Sequence, residues 1–229
     1  MNLVILVLAL SILGVFVIGS AEPDNQSRQI IGLVIALTAM VVVSLIDYVW
    51  LMDFYWLIYG FVILILGAVL IIGTEVNGAT RWINLGFTNF QPSELAKILL
   101  ILFFAKFIAE HEDDINDKKT LLKYAALCAV PLALIIAEPN LSTTICTALV
   151  LCLLIYIGGL SYKFIGTVLV ILIPTAIIFL AIVVQPNQPF LQDYQQERIL
   201  AFLEPEKYAD DGAYQQRNSV MAIGSGQLT

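Results

Sequence analysis

Arg81, Glu94 and Lys97 are the residues of this 229-residue chain best suited to chemistry, because two cations and a carboxylate stand between apolar runs long enough to cross a membrane. Charges placed where a chain enters hydrocarbon are costly and by default mark contact with a polar or anionic ligand. The segment reads Gly78-Ala79-Thr80-Arg81-Trp82-Ile83-Asn84-Leu85-Gly86 and resumes as Gln91-Pro92-Ser93-Glu94-Leu95-Ala96-Lys97. Its two glycines suit a tight turn that presents Arg81, whose guanidinium is shaped to hold a phosphate through paired hydrogen bonds. An interfacial Arg81–Trp82 anchor is the other reading of that pair. Pro92 fits the first position of a helix, where its missing N–H costs nothing. Glu94 then lies in the first turn and Lys97 follows three residues later on the same face, with Gln91 and Ser93 close by. Lys97 either snorkels to the interface beside Glu94 or turns into a cavity lined by a carboxylate, since a lysine at the membrane centre costs about 2.5–3.5 kcal/mol.

Two further constellations follow. Glu138-Pro139-Asn140 interrupts two apolar runs with a carboxylate at membrane level, as a helix cap or as a ligand contact. Downstream, Tyr194, Gln195, Arg198, Tyr214, Gln215, Arg217 and Ser219 combine the aromatic faces, amides and cations that hold a sugar-rich or phosphate-bearing ligand. The sequence offers no glycine-rich phosphate loop, no nucleophilic triad and no metal-ligand spacing. Its chemistry would therefore rest on a carboxylate base activating a hydroxyl and on cations stabilising an anionic leaving group.

The elements that must position these groups are transmembrane helices. The chain is 60% hydrophobic and 13% charged, about half the usual charged fraction of a soluble domain, and its mean hydropathy is +0.91. Seven runs are long enough to span hydrocarbon as helices: Asn2 to Gly19, Ile30 to Ile46, Phe54 to Ile72, Pro92 to Ala109, Leu121 to Ala137, Leu141 to Ile157 and Phe164 to Val184. No long segment alternates as a membrane barrel would. The expected organisation is a transmembrane region over 1–184, with a motif loop at 73–91, and an aqueous segment over 185–229. Cys128, Cys146 and Cys152 fall inside the runs and read as apolar packing residues. His111 reads as a solvated loop residue, and Tyr48, Trp50, Tyr55, Trp56 and Tyr59 as an interfacial aromatic belt. A formal charge of −7 leaves no basic surface for nucleic acid.

Orientation follows from lysine placement. Lys106, Lys118, Lys119, Lys123 and Lys163 lie in loops of one parity, against Arg28 and Arg81 in the other. The positive-inside rule then predicts a cytoplasmic N-terminus, with the motif loop, the Glu138-Pro139-Asn140 break and the 185–229 segment outside.

The two halves of the motif segment closely resemble the signature of the SEDS family (shape, elongation, division, sporulation), the peptidoglycan glycosyltransferases of the RodA, FtsW and SpoVE type. Glu138-Pro139-Asn140-Leu141-Ser142-Thr143 is similar to that family's Gln-Pro-Asp-Leu-Gly-Thr element. Tyr194-Gln195, Arg198-Ile199, Phe202-Leu203, Pro205, Gly212, Tyr214-Gln215, Ser219 and Ala222-Ile223-Gly224-Ser225-Gly226 resemble its large outer loop. The resemblance implies an all-helical membrane protein of ten spans, about seven of them here. It also implies polymerisation of lipid II with release of undecaprenyl pyrophosphate, and a class B penicillin-binding protein as partner, in the cell membrane of a bacterium. By position, Lys97 and Glu94 would be catalytic, Lys97 as the partner of an essential aspartate. Arg81, Trp82, Gln91, Ser93, Glu138, Asn140, Arg198, Tyr214, Gln215 and Ser219 would bind substrate. No metal site is expected, a divalent cation being the one cofactor left open.

The Tyr-Gln-x-x-Arg-Ile block favours elongation and cell-shape control over division. Asn140 replaces an aspartate of the family element, which puts any charge-dependent role there in doubt, and Ser142 replaces a glycine. The family's presumed catalytic aspartate lies in a loop beyond Thr229, so the chain is expected to be an N-terminal portion that binds lipid II without polymerising it alone. The alternatives are a lipid II flippase, which needs a polar path across the membrane, and a non-catalytic scaffold for a penicillin-binding protein.

Overall fold

The computed structural model describes residues 2–76, 79–84, 89–185, 188–189, 191, 193–204, 207 and 214–225. The chain divides into two compact units, Met1–Ile58 and Tyr59–Thr229.

In the first unit, α1 (Asn2–Ala21) and α2 (Pro23–Ser44) pack as a hairpin joined at Glu22. The predicted second run began at Ile30, but α2 starts at Pro23, so Arg28 lies on a helix rather than in a loop. Pro23 at the first helical position and Asp24 in the first turn both favour that earlier start. A short helix, α3 (Tyr48–Asp53), follows, capped by Asp47, whose Oδ1 accepts from the Val49 N–H at 2.9 Å. Trp50 meets Phe54 edge-on with centroids 5.3 Å apart.

The second unit opens within α4 (Tyr55–Ile72). It continues through β1 (Thr74–Val76), β2 (Ala79–Asn84), β3 (Asn89–Phe90), α5 (Pro92–Glu110), α6 (Lys118–Ala137), α7 (Leu141–Ile157), α8 (Tyr162–Val183), α9 (Asp193–Leu203) and α10 (Tyr214–Ser225). The segment expected to be a turn-rich loop is instead a small antiparallel sheet in the order β1-β2-β3. Thr74 pairs with Trp82 and Ile83 with Phe90, with a bulge after Thr74. Gly78 and Gly86, which motivated the tight turn, lie outside the described residues.

All seven apolar runs are helices. Among the described residues, α1, α2, α4, α6 and α8 are long and apolar enough to cross a membrane. α5 has the length, at 19 residues, but carries Glu94, Lys97, Lys106 and Glu110 towards its ends. α7 is apolar but runs 17 residues.

The core of this unit is built on one stripe of α5. Ser93, Ala96, Leu100, Phe103, Phe104 and Phe107 are wholly buried at spacings of one, three and four residues, which places them on a single helical face. Val62, Leu66 and Val69 of α4 are wholly buried too. The rings interlock: Tyr59 lies 4.6 Å from Phe103, and Phe104 lies 4.8 Å from Tyr124, centroid to centroid. Two tyrosine hydroxyls then tie helices together by donating to backbone carbonyls, Tyr59 to Leu127 at 2.9 Å and Tyr124 to Leu151 at 2.7 Å. Tyr59, grouped by sequence with the interfacial aromatics, thus points into the core, where its ring buries apolar surface and its hydroxyl finds an acceptor.

Asn116 clasps the end of the bundle distant from the motif segment. Its Nδ2 donates to the Gly159 carbonyl at 3.0 Å and its Oδ1 accepts from the Ser161 N–H at 2.7 Å. Gly159 sits at φ +95°, where a side chain would be strained, and a Cβ on Gly158 would overlap Ile108. His111 is half-buried rather than solvated, stacked on Phe107 at 4.3 Å.

The aromatic layer sets an expected order of effects. Phe104→Ala should destabilise the fold by about 3–5 kcal/mol through lost packing. Tyr124→Phe, which removes one interhelical hydrogen bond, should cost only about 0.6–1.7 kcal/mol. Equilibrium unfolding in mixed micelles checks this, and a larger loss from Tyr124→Phe than from Phe104→Ala would contradict the packing described.

Candidate functional site

α5 begins at Pro92, and its buried stripe ends in a polar residue, Ser93. α6 ends at Ala137, and after the break α7 starts at Leu141 with Asn140 as its N-cap. Asn140 uses both ends of its amide. Its Oδ1 accepts from the Thr143 N–H at 3.4 Å, while its Nδ2 makes a long contact of 3.5 Å to Ser93 Oγ. The carboxylate doubted at this position is therefore replaced by a group that can accept and donate at once, which a carboxylate cannot do. The contact also sets the N-termini of α5 and α7 side by side, two positive helix poles at one place.

Ser93 Oγ also accepts from Gln91 Nε2 at 3.2 Å. Beside it lies Glu138, wholly buried, with neither carboxylate oxygen in a hydrogen bond. Burial pushes its carboxyl pKa up to about 7, while the nearby Ser93 hydroxyl and the Arg81 guanidinium pull it down. Ser93 falls short of hydrogen-bond geometry to Glu138 in this conformation, so its influence is that of a close dipole. Arg81 is carried by β2 and is half-buried, as is the neighbouring Trp82, whose carbonyl accepts from Thr74 Oγ1 at 3.0 Å. Arg81 is thus carried by a strand.

Glu94 and Lys97 pair as their spacing predicted, with Lys97 Nζ 2.9 Å from each carboxylate oxygen. The pair is partly solvated: Glu94 is 55% and Lys97 23% exposed. Exposed pairs of this kind stabilise a fold by only about 0.2–1 kcal/mol. An intrahelical pair on a partly solvated face agrees with either reading of Lys97, beside the interface or turned into a cavity.

Of the candidates in the 185–229 segment, Tyr214 and Ser219 stand exposed on α10. The side chains of Arg198 and Gln215 lie outside the described residues. α9 does reach the site, through a long contact of 3.5 Å from Gln195 Nε2 to the Pro139 carbonyl. Gln196 anchors the same helix to the end of α8 by donating to the Val183 and Gln185 carbonyls at 2.8 and 2.9 Å. Gln196 was not singled out from sequence, and a lone glutamine carries no local signal that could have marked it.

The site therefore consists of Arg81, Gln91, Ser93, Glu138 and Asn140 around a helix break, with the Glu94–Lys97 pair on the adjoining turn. It can meet an anion with a guanidinium, an ammonium and two helix N-termini, and it holds carboxylates able to exchange a proton.

Known proteins share this arrangement of helices. The model of the cell cycle protein family of FtsW, RodA and SpoVE matches residues 1–229. The peptidoglycan glycosyltransferase MrdB of Escherichia coli K12 is 32% identical over 233 residues, covering 99% of this chain and 60% of the relative. A probable peptidoglycan glycosyltransferase FtsW of Buchnera aphidicola is 32% identical over 162 residues, covering 70% of this chain and 40% of the relative. The chain thus spans less than two thirds of the length of these curated relatives. Among solved structures, a chain from a peptidoglycan synthase complex superposes with a TM-score of 0.74 at 30% identity, covering 90% of this chain and 59% of the other. The Thermus thermophilus rod shape determining protein RodA superposes with a TM-score of 0.66 at 29% identity, covering 77% of this chain and 58% of the other. A multi-pass helical membrane protein whose whole length matches the family model, the chain belongs to the FtsW, RodA and SpoVE family of cell cycle proteins.

Proposed function

We propose that this chain forms the substrate-facing part of a peptidoglycan glycosyltransferase that polymerises lipid II during cell-wall elongation, alongside a class B penicillin-binding protein. The observation that carries the proposal is the meeting of Arg81, Ser93, Glu138 and Asn140 at the break between α6 and α7, with Glu94 and Lys97 one turn away. In glycosyl transfer the acceptor hydroxyl oxygen bonds to the anomeric carbon of the lipid-linked sugar. The bond from that carbon to the diphosphate breaks, the hydroxyl proton passes to a carboxylate, and the diphosphate leaves on its lipid. Two cations suit the departing charge, and Glu94, the exposed carboxylate, either receives the proton or keeps Lys97 in place. The MrdB alignment over 99% of the chain and the likeness to a rod shape determining protein support an elongation role.

In the protein that carries this chain, Lys97→Met should reduce glycan formed from labelled lipid II by about a hundredfold, the scale of losing one transition-state electrostatic contact. Because the ion pair adds so little stability, the melting temperature should move by no more than a few degrees. Wild-type polymer yield from Lys97→Met would remove Lys97 from the chemistry.

The proposed orientation places the N-terminus in the cytoplasm and the site outside. With Cys128, Cys146 and Cys152 replaced, a cysteine at Asn84 should react with a membrane-impermeant maleimide applied to intact cells, and one at Lys118 only after permeabilisation. The reverse labelling pattern would invert the topology and detach the site from an external substrate.

A further inference from the structure

The 185–229 segment, expected from composition to be aqueous, holds α9 against the ends of two helices of membrane length. α8 is one of them, and Ile177, Ile178 and Leu180 near its end are exposed, a surface that lipid covers on a span. Gln196 of α9 donates its side-chain amide to the Val183 carbonyl at 2.8 Å and to the Gln185 carbonyl at 2.9 Å. Val183 is the last residue of α8 and Gln185 lies two residues past it, so α9 starts where that span leaves hydrocarbon. Gln195 makes its long contact to the Pro139 carbonyl, two residues past the end of α6, the other helix of membrane length.

These contacts identify the face of α9 that looks toward the helix ends. At about 100° per residue, Gln195, Gln196, Ile199, Phe202 and Leu203 fall within one arc of about 120°, and Glu197 and Glu204 lie together on the other side. The first two residues of that arc are taken up by carbonyls. One to two turns further on, Phe202 is 73% and Leu203 51% exposed, although Ala201 of the same helix is buried. Phe202 follows Gln196 by six residues, about 9 Å along the axis of a helix. The pair therefore cannot lie far from the level at which α8 ends.

We infer that α9 is an interfacial helix, seated on the lipid bilayer beside the end of α8 through Ile199, Phe202 and Leu203. Its partner is the boundary between headgroups and acyl chains, continuous with the lipid that covers α8. The contact is apolar rather than electrostatic. Asp193, Glu197 and Arg198 are the charged residues of α9, Glu204 follows at its end, and Glu204 pairs with Lys207 at 3.1 Å. A helix without an excess of basic residues gains nothing from anionic headgroups, so its seat depends on buried apolar surface. The inference stands on the membrane placement of α8 and is independent of the reaction proposed for the site.

A nitroxide spin label measures this depth, because oxygen concentrates in hydrocarbon whereas a nickel chelate stays in water. With Cys128, Cys146 and Cys152 replaced, Phe202→Cys, Leu203→Cys and Glu204→Cys are labelled one at a time in the full chain, in phosphatidylcholine vesicles. The labels at 202 and 203 should read a depth of about 5–10 Å into the headgroup and acyl boundary. The label at 204 should meet the nickel chelate freely. Adding Phe202→Asp to the chain labelled at 203 should return that label to water, and adding phosphatidylglycerol to the vesicles should leave every depth unchanged.

Labels at 202 and 203 that meet the nickel chelate as freely as the one at 204 would show a solvated helix and overturn the inference. Low collision with both reagents at 202 would also overturn it, since protein would then cover the face. Dipolar broadening that grows with the ratio of protein to lipid would identify that protein as a second copy of this chain. A depth that appears only with phosphatidylglycerol would overturn the apolar basis of the contact. None of these outcomes bears on the polymer yield of Lys97→Met, so the two proposals fail separately.

Discussion

Polar groups at membrane depth have no water to turn to, and each must find its partner within the protein. The break between α6 and α7 leaves helix-end N–H and C=O groups between two apolar helices, and Asn140 resolves the α7 end by capping its own helix while reaching across to Ser93. That contact works only if α5 stands where it does. Its position is set by the buried stripe running from Ser93 to Phe107 and by the ring contacts of Phe103 with Tyr59 and of Phe104 with Tyr124. Packing at the middle of the bundle therefore determines polar geometry at its end.

The charges at that end divide by burial. Glu94 and Lys97 are solvated enough that their attraction contributes little to the fold. Glu138 is the opposite case, an enclosed carboxylate whose neighbours leave its oxygens unpartnered. Such a group lowers stability wherever it is ionised, so burial favours its protonated form.

Much of this was legible in the sequence, and the reasons are physical. Apolar runs of membrane length became helices because no other structure satisfies their backbone in lipid. Pro92 opened α5 and the three-residue spacing paired Glu94 with Lys97, since both features act within a turn. The failures involve contacts between residues far apart in the chain. Thr74 and Trp82 form a sheet pairing in a segment too short to show strand alternation. Tyr59 looks like its neighbouring interfacial aromatics until Phe103 and the Leu127 carbonyl are brought beside it. Glu138 and Asn140 could be marked as a polar break, but which of the two would cap and which would be left unpartnered depended on where Ser93 came to rest.

The two ends of the bundle are built on different terms. At the clasped end, both ends of the Asn116 amide are matched to backbone groups, Gly158 and Gly159 fit a turn with no room or no freedom for a side chain, and His111 is stacked in place. The Asn116 amide has a backbone partner at each end, so movement there would exchange two protein hydrogen bonds for bonds to water. At the motif end, Glu138 lacks partners, the Asn140–Ser93 and Gln195–Pro139 contacts are at the outer limit of hydrogen-bond length, and the nearest ion pair is half in solvent. A ligand arriving there has interactions to complete rather than to break. The aromatic layer and the Asn116 clasp set the helix positions, and the long contacts at the motif end add little to them.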